Sequence, residues 1–488
     1  MNTIRIAIDP ELSRTHGPEV HWTWRLLLTS IGWAWEEVPL DAPCDIAYVS
    51  NPADAPQAKL RIQADISAWQ APHTARLAEV GRVDGLAYPR YAGQAAQIEL
   101  ARAESGPIFC PRDLIFDVFW LATGQEERYQ RKDRFGFYDL RGTASLESGL
   151  FRQALGSHIR LWLERIVRRL GGPPPVPRWP DGKRAAASSG HDVDYPEVVR
   201  WLEPLRIVSR RGLSSVGTAV DVLIGRCHHW NFSNWVALER TLGLRSTFYF
   251  VPRQGSLVEY ALSTPDPFYD ITAPRFRELF RYLRDEGWEI QMHASYEAYR
   301  DPARLVAEKQ RLESASGHEI VGNRHHYWHL NPDDAEETLF FHEQAGFTYD
   351  QSLVHNRYLG WRRGLAEPFF PFYQKARREL KTLQVPIAWM DDQLFRMRNH
   401  NPGDRRELLR ELVDRVAEQS GVFNTDVHEY VYDETLYPGW REIYCYVWEY
   451  VRQRGDFWVT TASEITAHWT AQYFGMVQAS QGLKLGML

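Results

Sequence analysis

Residues 176–475 read as an α/β fold on a parallel sheet, most simply a barrel, and two observations carry that reading. Strand-like and helix-like stretches alternate along this length with no internal repeat, and four polar motifs fall where strands end. A third observation sets the boundary. Gly171-Gly172-Pro173-Pro174-Pro175-Val176-Pro177 ends a helix and holds the chain extended, so a smaller mixed α/β domain is expected over 1–175. Residues 476–488 are expected to form a tail.

In the first part, Ile4 to Ile8 alternates like a strand, Val20 to Ile31 has a helix's apolar spacing, and Asp45 to Val49 and Leu60 to Ile66 suggest further strands. Asp113 is placed to cap a helix through Leu121. Ser148 to Leu170 predicts a long helix with basic residues late, as the helix dipole favours. Glu126-Glu127 and the Arg/Lys/Asp cluster after them are expected in a solvated loop. In the second part, strands are expected at Ser246 to Val251, Trp288 to Met292, Ile320 to Asn323, Val422 to His428 and Phe457 to Thr460. Helices are expected at Pro274 to Glu286, Ala303 to Ser314, Asp333 to Ala345, Arg405 to Gln419 and Glu442 to Arg454.

Composition narrows the function. With 488 residues, 44% hydrophobic and 25% charged, the chain can bury two or three cores, and its net charge of -6 comes from interleaved signs. No sustained Lys/Arg run argues for a nucleic-acid partner. Cys44, Cys110, Cys227 and Cys445 show no Cys-x-x-Cys spacing and read as reduced thiols. The first residues lack the pattern of a signal peptide and no apolar run approaches a membrane span, so a cytoplasmic protein without a transmembrane segment is expected. Oligomeric state is left open. The 19 Trp, 23 Tyr and 22 Phe could supply sugar-stacking faces as well as core.

The chemistry concentrates in Ser189-Gly190-His191-Asp192-Val193-Asp194-Tyr195. One carboxylate of such a pair can bind a metal while the other takes a proton from water. Its companions are Gln291-Met292-His293-Ala294-Ser295-Tyr296-Glu297, Gly322-Asn323-Arg324-His325-His326-Tyr327 and Asn424-Thr425-Asp426-Val427-His428. Mixed oxygen and nitrogen ligands suit a borderline divalent ion, Zn²⁺ above others. Asp194 and His293 are the first two ligands, and His326, His325 and Glu297 are the candidates for the third.

These motifs, in this order, resemble those of a polysaccharide deacetylase of the family 4 carbohydrate esterase superfamily, over about residues 180 to 470. The resemblance implies a distorted (β/α)7 barrel of polysaccharide-deacetylase type, preceded here by the smaller mixed α/β domain. It implies Asp192 as general base, Asp194 as metal ligand and His428 as general acid, with Arg324 and Tyr327 of the third motif among the catalytic residues. Glu297 stands where the family has its second metal-binding His, and His326 where it has a proline, so His326 is favoured as a displaced third ligand. The segments Phe347 to Ser352 and Leu359 to Gly364 resemble the stretch that supplies an Arg to the catalytic Asp, which makes Arg362 a substrate-site candidate. Trp328 is another, and Trp361, Tyr358 and Trp440 are further possible sugar platforms. More weakly, the helices from Asp113 to Leu170 resemble the end of an N-terminal domain found in a subgroup of bacterial deacetylases.

The implied activity is metal-dependent removal of N-acetyl groups from an amino sugar, in a glycan or its lipid-linked or nucleotide-linked precursor. The alternatives are hydrolysis of a non-sugar linear amide on the same barrel and non-catalytic glycan binding. Asp192 and His428 speak against the last, since a binder needs neither base nor acid.

Overall fold

The computed structural model describes residues 3–485 apart from 93, 95–96, 103–106, 148, 198–201, 257, 260–265 and 396–400. Two large sheets organise it. The first has six strands in the order Ala34–Glu37, Thr3–Ile8, Cys44–Val49, Ala58–Gln63, Ile108–Cys110, Ala101–Arg102; all pairings are parallel except the last. Helix Pro10–Ile31 covers it, begun by Asp9, whose carboxylate accepts the Glu11 N–H, and ended by Gly32 at φ 103°. Only glycine fits there, because a Cβ would lie 2.4 Å from the Val176 carbonyl oxygen.

The second sheet is wholly parallel. Its strands run Leu383–Gln384, Tyr349–Asp350, Gly322–His325, Glu289–Ala294, Thr247–Phe250, Ala185–Val193, Val422–Asp426, Trp389–Met390, with Phe457–Val459 also on Ala185–Val193. The two outermost strands, Leu383–Gln384 and Trp389–Met390, are nearly consecutive in sequence. Laid flat, eight strands would put these edges roughly 34 Å apart at ~4.8 Å per strand. Residues 385–388 can bridge only about 19 Å at ~3.8 Å per Cα step. The sheet therefore curls, and its C-terminal strand ends turn toward one another. All nine residues of the central strand Ala185–Val193 are buried, as a strand covered on both faces must be.

The two sheets share apolar packing. Trp22, Phe119, Trp162 and Leu163 from the first part cluster with Leu339, Leu365, Phe369 and Phe372 from the second. Polar contacts add to it. The Trp22 indole N–H donates to the Phe370 carbonyl at 3.0 Å, and Arg160 Nε lies 2.9 Å from the Glu367 carboxylate with both side chains almost fully buried. Among the described residues, no helix is long and apolar enough to cross a membrane. The four cysteines are free.

Several local expectations are corrected. The first helix starts at Pro10 instead of Val20; it passes Pro18 because the backbone is already broken at His16 (φ -127°, ψ 25°). Leu60 to Ile66 is not one strand, since Asp65 caps a helix Ile66–Gln70 by accepting the Ala68 N–H. The helix expected from Ser148 begins at Leu155, after Gly149 and Ala154 take left-handed conformations (φ 65° and 45°); Ser148 itself lies outside the described residues. Helix Ala462–Leu485 runs through 476–485, where a tail was expected. Most important, Glu126 and Glu127 are not in a solvated loop. Glu127 is buried and accepts two hydrogen bonds from Arg362, at 2.8 and 2.9 Å, while Glu126 accepts from Ser145 and Gln130. Polar residues between helices read as solvent-facing until a distant guanidinium is folded onto them.

Candidate metal centre

Strand periodicity sorts the motif residues. Side chains two apart on a strand share a face, so Asp192 and Asp194 point together and His191 points the other way. His191 accordingly lies against the outer helix layer, 2.7 Å from Glu239 and 2.8 Å from the Val427 carbonyl. The same parity divides the third motif. Arg324 and His326 face the carboxylates, and His325 turns outward to sit 2.8 Å from His342.

Parallel register then brings four strand ends into one place. Gly190 is opposite Asp426, and His293 is opposite Arg324. The ligand atoms of Asp194, His293 and His326 all lie within 4.8 Å of one another, and all three residues are buried. His293 Nε2 is 3.4 Å from Asp194 Oδ1 and His326 Nε2 is 3.2 Å from Asp194 Oδ2. Each imidazole is fixed from behind: His293 Nδ1 is 2.7 Å from the Arg324 carbonyl, and His326 Nδ1 is 3.5 Å from Asp266 Oδ1. With Nδ1 so engaged, each ring presents Nε2 to Asp194, the orientation that metal-binding histidines adopt.

The residues fit a cation on their own evidence. Asp194 Oδ1 and His326 Nε2 are buried and make only these ion-pair approaches, with no well-directed hydrogen bond, and a buried polar atom without one costs up to roughly 1–3 kcal/mol. One carboxylate and two imidazoles are a donor set that Zn²⁺ accepts. The electrostatics agree. Burial alone would lower the His326 pKa, but Asp194 and Asp266 overcome it and hold the imidazole at about 10. Burial likewise would raise the Asp194 pKa, and His326 and His293 bring it well below the ordinary carboxylate range. The pocket is built to keep positive charge beside Asp194.

Asp192 is held differently. Arg324 Nη1 donates to its Oδ1 at 2.6 Å and to Asp426 Oδ1 at 2.8 Å, while Nη2 donates to Gln351 at 2.6 Å. The guanidinium also lies 4.1 Å from the Tyr249 ring centre. One cation shared by two buried carboxylates cannot keep both ionised. Despite burial, Arg324 lowers the Asp192 pKa, whereas burial and the Asp192 charge push Asp426 well up. Gly190 permits this approach, since a Cβ there would meet Arg324 Nη2 at 2.6 Å.

His428 stands opposite. Asp391 accepts its backbone N–H at 2.8 Å and its Nδ1–H at 2.9 Å, leaving Nε2 3.5 Å from Asp194 Oδ2. Burial works against protonation, yet Asp391 raises the pKa well above that of a free imidazole. A cavity of about 290 Å³ opens onto Asp192, Asp194, His293, His326 and His428, with Tyr327 and Trp328 in its wall. Tyr327 and Trp328 are consecutive left-handed residues, φ 58° and 51°, a conformation costing about 1–3 kcal/mol each. The turn leaves Tyr327 45% exposed at the mouth and buries Trp328 against Val354, Ile387 and Met390.

Other sequence candidates lie elsewhere. Arg362 is committed to Glu127 and is absent from the cavity lining, so the guanidinium that steadies Asp192 belongs to Arg324 instead. Glu297 pairs with Arg300 at 2.5 Å with its side chain 40% exposed, outside the cluster. Trp361 and Trp440 are core residues, the latter stacked on Phe395. Sequence reasoning missed Asp391, Asp266 and Glu429, whose carboxylate accepts the Asp194 and Tyr195 backbone N–H groups at 3.2 and 3.1 Å. Asp391 follows the strand Trp389–Met390 directly, a fifth strand end that its two-residue length hides.

No family model and no curated protein matches the chain. Among solved structures it is similar to a protein from Mycobacterium smegmatis described as a polysaccharide deacetylase, at 18% identity over 60% of this chain and 93% of that one, TM-score 0.39. It is similar also to a family 4 carbohydrate esterase from Streptomyces lividans in complex with acetate, at 10% identity over 57% and 92%, TM-score 0.27. A family 4 pseudoenzyme from Bacillus anthracis overlaps at 10% identity over 58% and 65%, TM-score 0.28. Overlaps this low leave the chemistry to the residues themselves.

Proposed function

We propose that the chain is a metal-dependent hydrolase that removes N-acetyl groups from an amino sugar of a polysaccharide or its precursor. One observation carries the reading: two carboxylates two residues apart share His293, whose Nε2 is 3.4 Å from each, but differ in their second partner, the Arg324 guanidinium on Asp192 and the His326 imidazole on Asp194. A protein that only bound its ligand would need no such division.

When held by Asp194, His293 and His326, a divalent ion such as Zn²⁺ supplies Lewis acidity, polarising the amide carbonyl and the attacking water. Asp192, its Oδ1 tied to Arg324, accepts a proton from that water through Oδ2. In this reading the main-chain N–H of Tyr327 would stabilise the charge developing on the carbonyl oxygen. As the C–N bond breaks, protonated His428 gives its Nε2 proton to the departing amine, and Asp391 holds the ring in place from Nδ1. Acetate and a free amino sugar leave. Tyr195, Tyr327, Tyr430 and Tyr437 around the cavity offer faces suited to a sugar ring.

The test measures metal content together with acetate release from a panel of N-acetylated sugars and oligosaccharides. The expected result is about one divalent ion per chain, lost in His293→Ala. Asp192→Asn should keep the ion and lose roughly 10²–10⁴-fold in turnover. Full occupancy in His293→Ala would refute the site. A stoichiometric ion with no acetate released from any sugar would refute the reaction.

A further inference from the structure

The segment after the central strand carries a surface that the proposed chemistry does not use. Helices Glu203–Arg211 and Val216–Leu223, with the turn Leu213–Ser215 between them and Ile224 at the end, expose Leu205, Leu213, Val216, Val220, Leu223 and Ile224, half of the large apolar side chains exposed among the described residues. Leu213 alone is 84% exposed. In the second helix the spacing 216, 220, 223, 224 places one continuous apolar stripe on the outside, while Ala219 and Val222 pack inward with Ile207 and Leu436. A helix apolar on both sides needs cover on both sides, and here only the inner side has it.

Charge says what covers the outer side. Between residues 203 and 228 the exposed charged side chains among the described residues are basic, Arg211 and Arg226, while Glu203, paired with Arg206, and Asp221, paired with Arg226, are half-buried. A second copy meeting this face through a two-fold axis would set basic residues against basic residues. An anionic lipid surface complements both features, taking the apolar stripe into the headgroup boundary and Arg211 and Arg226 at phosphate level. We infer that this helix pair docks the protein on the surface of an anionic membrane. The attachment lies on the surface, since no described helix can span a bilayer. Glu203 and Arg206 belong to the same first helix and also line the catalytic cavity, so docking points the cavity mouth at the lipid surface. If the hydrolase reading above holds, the amide substrate is one displayed on that surface.

The test is co-sedimentation of the full chain with vesicles of phosphatidylglycerol and phosphatidylcholine against phosphatidylcholine alone. Binding should be about tenfold or more stronger to the anionic vesicles and fall steeply with salt. The triple variant Leu213→Asp, Val220→Asp, Leu223→Asp should lose at least about tenfold of it while keeping metal content and melting temperature. As a check that leaves the stripe nearly intact, an environment-sensitive dye on Leu213→Cys in a Cys445→Ser background should shift to the blue only with anionic vesicles. His293→Ala should sediment as the native protein does, which separates docking from the metal site. Equal binding to both vesicle types, an unshifted dye, or full binding by the triple variant would overturn the inference. So would a concentration-dependent dimer that the triple variant abolishes, which would assign the stripe to a second copy.

Discussion

Asp266→Asn tests whether His326 is a ligand, because it changes what stands behind the ring and nothing in front. The Asp266 carboxylate is 7% exposed and has three partners: His326 Nδ1 at 3.5 Å, the Tyr296 backbone N–H at 2.8 Å and Arg253 Nη1 at 2.8 Å. Asparagine keeps the shape and one acceptor oxygen but removes the charge that makes the Nε2 lone pair a stronger donor. Loss of such a partner typically weakens a metal site about 10–100-fold, or ~1.4–2.7 kcal/mol. The assay is metal affinity by competition with a chromogenic chelator, with melting temperature as a control for folding. In a His326→Ala background the same substitution should add nothing, since the only route from Asp266 to the ion has been removed. Unchanged affinity in Asp266→Asn, or equal losses in both backgrounds, would refute the reasoning.

Direct truncation should separate the two remaining third-ligand candidates: His326→Ala weakens metal binding strongly, and Glu297→Gln leaves it within about twofold, because Glu297 is engaged by Arg300 outside the cluster. Glu127→Gln should cost about 3–5 kcal/mol in denaturant unfolding, since it removes the carboxylate paired with buried Arg362 and leaves Glu336, already engaged by Arg363, as the nearest counter-charge; a loss under about 1 kcal/mol would show the pair to be solvated. Acid should destabilise the fold early. Burial, the largest cause in both cases, pushes His158 down to about 4 and His355 down to about 3, so the unfolded chain takes up these protons first as pH falls below ~6.5. Each residue then removes about 1.4 kcal/mol of stability per pH unit until its folded pKa is reached, and His355→Gln should flatten the slope by that amount.

How much of this was legible beforehand follows the range of the forces involved. Strand and helix alternation, the Asp113 cap and the placing of four polar motifs at strand ends are local patterns, and helix Pro274–Glu286 begins and ends where its sequence says. Parity on a strand even carries the choice between neighbours, since Asp192 with Asp194 and Arg324 with His326 must share a face once the strands are granted. What stayed hidden was every partner drawn from a distant segment. Asp391 reaches His428 across 37 residues, Asp266 reaches His326 across 60, and Arg362 reaches Glu127 across 235. A charged residue looks alike in sequence whether water or a buried counter-charge will satisfy it. Only the curled sheet, by fixing which strand ends meet, decided that Arg324 steadies Asp192, that Arg362 does not, and that Glu297 lies outside the cluster of Asp194, His293 and His326.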